Sequence, residues 1–123
     1  MKQVQIILIN QQANATVISP AVDFRQQFAF SVQAIGGDGS LAGTVQVQVN
    51  NTPVLNGFTT YAPSAASWTN LGTALTFSQT SVTSSQLVPK TDSAYVAMRV
   101  VFTDSSSGTN TANLTVQLSA IGV

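Results

Sequence analysis

Eight side chains of this 123-residue chain carry charge: Lys2, Asp23, Arg25, Asp38, Lys90, Asp92, Arg99 and Asp104. Two carboxyls placed across a glycosidic bond hydrolyse it, and clustered carboxylates hold calcium. The four Asp residues suit neither task. Asp38 and Asp104 stand in Gly/Ser-rich stretches where Asp is an ordinary turn former, and Asp92 follows Lys90 in another loop. No Asp-x-Asp-x-Asp-Gly spacing occurs. There is no His, Cys or Glu, so Cys/His zinc sites and His-assisted nucleophiles cannot be assembled. The expectation is a non-enzymatic protein with no catalytic residue, no metal and no cofactor.

Two further constellations invite a function. Arg99 sits in the apolar run Tyr95 to Phe102, where a buried charge is expensive unless it is paired. Asp23 is the carboxylate expected to pair with it, with Asp92 and Asp104 as rivals. The plain alternative is an Arg whose stem covers apolar surface while its head stays wet. Trp68, Tyr61 and Tyr95 could form a stacking platform for sugar rings, and Tyr61 and Trp68 a contact loop. With only nine aromatic residues in the chain, packing between sheets is the competing use for Trp68.

These residues are carried by alternating segments. Val45, Val47 and Val49 alternate with Thr44, Gln46 and Gln48, the period of a strand with one solvated face. Phe28, Phe30, Val32 and Ala34 repeat the pattern, and a Gly-Gly-Asp-Gly-Ser cluster between the two predicts a hairpin over residues 28–50. Leu114, Val116, Leu118 and Ala120 alternate near the C-terminus. Tyr95 to Phe102 is nearly continuous apolar, as at a sheet centre, and a polar loop from Asp104 to Asn110 predicts a second hairpin joining it to the last strand. Residues 3–9, 15–18, 68–71 and 75–78 read as shorter strands, residues 79–89 as Val82 and a loop ending at Pro89. No apolar stretch has a helical period. About eight short strands predict an all-β fold: a single antiparallel β-sandwich over residues 1–123, with a jelly roll as one arrangement and residues 1–12 as an N-terminal edge strand or arm.

Ser, Thr, Asn and Gln make up 49 of the 123 residues while charged residues are 7% and the formal net charge is zero. That balance gives no electrostatic reason to bind nucleic acid or an anionic membrane. It also does little to keep copies of the chain apart, so a homo-oligomer is expected. Ile6 to Ile9 is too short for a signal-peptide core, and no run approaches a membrane span.

The order of the segments carries a resemblance. Ser19-Pro20-Ala21-Val22-Asp23-Phe24 precedes Phe28-Ala29-Phe30-Ser31-Val32-Gln33-Ala34. Gly43-Thr44-Val45-Gln46-Val47-Gln48-Val49-Asn50-Asn51, Trp68-Thr69-Asn70-Leu71 and Tyr95-Val96-Ala97-Met98-Arg99-Val100-Val101-Phe102 follow, then a Ser/Gly-rich loop. Over residues 15–121 this series resembles the small all-β virion structural proteins of tailed bacteriophages, with a departure at Thr52 to Ser67, where a Pro-containing excursion replaces a short turn. The resemblance implies a non-enzymatic component of the virion, a capsid decoration or cement protein or a fibre-like head or tail accessory. Its partners would be major capsid or tail proteins. A carbohydrate-binding or adhesive β-sandwich module is the alternative.

Overall fold

A computed structural model describes residues 2–24, 27–37, 41–50, 68–78, 85–90 and 95–122. Its strands are β1 (Lys2–Gln12), β2 (Val17–Ile18), β3 (Val22–Asp23), β4 (Gln27–Gly36), β5 (Ala42–Asn50), β6 (Thr69–Asn70), β7 (Leu75–Ser78), β8 (Ser85–Lys90), β9 (Ala97–Asp104) and β10 (Asn113–Gly122), and the described residues include no helix. All pairings are antiparallel. One sheet runs β1-β10-β4-β8. In the other, β9 and β5 lie at the centre, with β2 and β3 on the free side of β9 and β6 and β7 on the free side of β5.

The pairing is nested. β1 takes β10, β2 and β3 take β9, β4 takes β8, and β5 takes β6 and β7. Counting β2–β3 and β6–β7 as interrupted strands leaves eight, in the orders 1-8-3-6 and 2-7-4-5. That is the connectivity of a jelly roll, two antiparallel sheets closed over one core. The protein is an all-β sandwich.

Nesting corrects both expected hairpins. β4 and β5 lie in different sheets, and so do β9 and β10. The chain passes from one sheet to the other between β4 and β5, and again between β9 and β10. A turn cluster specifies reversal; the neighbour a strand finds is a long-range choice. A third correction concerns Pro89, which lies within β8 and opposite Ser31. Among the described residues β8 is an edge strand, where a missing backbone N–H is tolerated.

The core is the sum of the inward faces. Phe30, Val32 and Ala34 of β4 and Leu114, Val116, Leu118 and Ala120 of β10 pack with Val45, Val47 and Val49 of β5 and Met98, Val100 and Phe102 of β9. Phe24 joins edge-on to Phe30, ring centroids 5.1 Å apart. In β1 a bulge between Ile7 and Ile9 inserts Leu8, so Leu8 and Ile9 are both buried while Ile7 is 60% exposed. The bulge is how four consecutive apolar residues fit a strand with only one covered face.

At Gly43, β5 and β9 approach too closely for a side chain. A Cβ there would lie 2.5 Å from the Phe102 ring and 2.5 Å from the Thr103 carbonyl oxygen. Any side chain at this position would collide with the buried Phe102 ring and the β9 backbone.

Candidate functional site

Arg99 projects from β9 on the outer side of the second sheet, opposite Gln48 of β5. Its Nε donates to Gln48 Oε1 at 2.8 Å, and the guanidinium carbon stands 4.6 Å from the centroid of the Trp68 ring. Gln48 Nε2 in turn donates to Asn70 Oδ1 at 3.0 Å, so a chain of polar contacts runs across three strands. Gln46 extends the patch, its Nε2 donating to the carbonyls of Val47, Leu71 and Gly72 at 2.9–3.3 Å. Arg99 and Trp68 are both half-buried. Burial lowers the Arg99 pKa from its ordinary value, yet a guanidinium stays charged in a protein. A cation over an indole face with a side-chain amide at its edge is held by the ring quadrupole and one charge-assisted hydrogen bond.

Asp23 lies on the same outer side, opposite Ala97 and so two residues along β9 from Arg99. The guanidinium itself contacts Gln48 and Trp68. Trp68 thus has a partner no spacing rule pointed to, because the pair joins residues 31 positions apart through a long-range strand pairing. Tyr61 lies outside the described residues. Tyr95 is half-buried and packs against the core.

The first sheet offers a different surface. Its outer side carries a depression of about 470 Å³ lined by Gln5, Ile7, Ser31, Gln33, Gln117 and Ser119, together with Ile6 and Leu118. The register explains the hollow. Gln5, Ser119 and Ser31 form one cross-strand row and Ile7, Gln117 and Gln33 the next, so short serines floor a trough beside longer side chains. Gln3 Nε2 donates to Ser119 Oγ at 3.1 Å. No lining residue is ionisable.

The remaining polar centre is architectural. Asn110, 2% exposed, donates from Nδ2 to the carbonyls of Ala13 (2.8 Å) and Ala42 (3.0 Å) and to Asp104 Oδ1 (3.0 Å), and accepts from the Ala42 amide at 2.9 Å. One side chain thereby ties the end of β1, the start of β5 and the β9–β10 loop. Asp104 organises that loop, accepting from the Ser106 hydroxyl and amide and the Gly108 amide. Hydrogen bonds from the Ser106 hydroxyl first, then from its amide, hold the carboxyl below its ordinary pKa. Asn110 sits in a stretch of Ser, Gly, Thr and Asn, where every residue reads as a turn former, so nothing local singles it out.

Among the described residues no three acidic, His or Cys side chains come together as a metal site. No family model, no curated protein and no solved structure matches this chain.

Proposed function

We propose that this chain is a bacteriophage virion structural protein, a capsid decoration or head or tail accessory component that works by repeated protein–protein contacts. The observation that carries the reading is a jelly roll whose described outer sides are built largely from amides and hydroxyls. Jelly rolls serve in viral capsid and lectin domains, which bind through shape and loops. Fold alone does not choose between those uses, and the resemblance over residues 15–121 favours the virion. Interfaces of such surfaces rest on fit and hydrogen bonds, without the charged patches that salt weakens. The test is to purify particles from the producing lysate and analyse them by peptide mass spectrometry. Peptides of this chain banding with the major capsid protein are expected; their absence from intact particles, with the chain recovered free, overturns the reading.

The Trp68–Arg99 pair favours one second reading. An aromatic ring beside Gln46, Gln48 and Asn70 has the make-up of a sugar-binding surface, and this would be a carbohydrate-binding or adhesive module. Glycan-array binding that is lost in Trp68→Ala would put this reading first; equal signals from both proteins would remove it.

A further inference from the structure

The sheet edges of this sandwich are treated unequally. A strand edge is a template for another chain, and proteins blunt edges with short strands, Pro or Lys. β2, β3, β6 and β7 are two to four residues long. β8 is six residues long and contains Pro89 and Lys90. β1 is less protected: it is eleven residues long, with one Lys at its start and a bulge at Leu8, its sequence from Gln3 to Gln12 has no charge and no Pro, and Ile7 is 60% exposed. Among the described residues no strand pairs with its outer edge. The bulge at Leu8 divides β1 into two regular stretches, Lys2–Ile7 and the shorter Ile9–Gln12.

We propose that β1 is a self-association edge, on which a second copy of this chain pairs its own β1 antiparallel and joins two four-stranded sheets into one. Charge permits a copy as partner and sets the direction. The edge is neutral apart from Lys2 at its start, so a copy meets no repulsion along the strand. Antiparallel pairing sends the two Lys2 residues to opposite ends, where parallel pairing would set them side by side. A two-fold contact of this kind is closed, and it covers the open edge of both copies at once. It also brings the Gln5 and Ile7 walls of the two troughs together. The inference deepens the virion reading by naming the surface through which copies repeat, and it rests on that reading only for its purpose.

Sedimentation velocity of the purified chain is expected to give twice the 12.8 kDa mass of the monomer, with little change from low to molar salt. Ile7→Lys places like charges in the paired stretch and is expected to weaken the dimer about tenfold or more. Gln11→Lys, beyond the bulge, is expected to leave it dimeric. Far-UV spectra and melting curves check that both variants fold. Should Ile7→Lys fail to fold, hydrogen exchange on the unaltered chain decides: slow exchange at every amide from Gln3 to Ile7 supports the pairing, and fast exchange at alternate amides overturns it. A monomer at all concentrations, or a folded Ile7→Lys that dimerises as before, also overturns it. These are readings on purified protein, so their failure leaves the particle test of the virion assignment standing.

Discussion

The two sheets of this sandwich obtain their order by different means. In the first, β1, β4 and β10 are ten or eleven residues long and their ladders run with only two register shifts. In the second, only β5 and β9 are long, and their flanks are fragments. Side chains serve where the fragments stop. Pro20 interrupts the strand between β2 and β3, and there the Ser19 hydroxyl accepts from the Val100 amide at 2.8 Å. On the other flank Gln46 holds the carbonyls of Leu71 and Gly72. Breaking a strand into pieces protects an edge, but it moves stability from a distributed ladder onto individual residues. Single substitutions should therefore damage the second sheet in folding and the first sheet in association.

The largest effect is expected at Asn110, which anchors the start of β5. Asn110→Leu leaves the Ala42 amide and the carbonyls of Ala13 and Ala42 without their side-chain partner, and chemical denaturation should show a loss of about 4 kcal/mol. Gly43→Ala comes next at about 3 kcal/mol, since the added methyl must displace Phe102 or the Thr103 backbone. A near-neutral result there would mean that β5 and β9 can slide apart, contrary to a rigid centre. Ser19→Ala should lose about 2 kcal/mol, the penalty for one buried amide left unmatched. Arg99→Met should lose only about 1 kcal/mol if the Trp68 face and Gln48 are what hold the guanidinium. A loss of several kcal/mol would instead mean that a carboxylate such as Asp23 is left stranded. The smallest effect belongs to the first sheet: Ser119→Ala should stay within about 0.5 kcal/mol, and a larger loss would erase the contrast.

Much of this was legible from residue types. Alternation placed Val45, Val47 and Val49 inward and Thr44, Gln46 and Gln48 outward, because the period of a strand states which face a residue takes. It does not state which strand lies alongside. That is why β4 and β5 read as a hairpin and yet stand in opposite sheets. Pro89 hid a strand for a related reason: proline is excluded from central strands but tolerated at an edge, and edge position is a property of the whole sheet. Arg99 was visible as a charge in an apolar run, whereas its seat on Trp68 depends on the β5–β6 and β5–β9 pairings together. Asn110 was invisible, since burial alone separates it from the polar residues around it.

The central proposal is that this molecule joins its neighbours through neutral surfaces. Washing purified particles with increasing salt, and measuring how much of the chain stays with the capsid protein after sedimentation, tests it most directly. Full retention into molar salt is the predicted result. Release by salt alone, with particles otherwise intact, would contradict it.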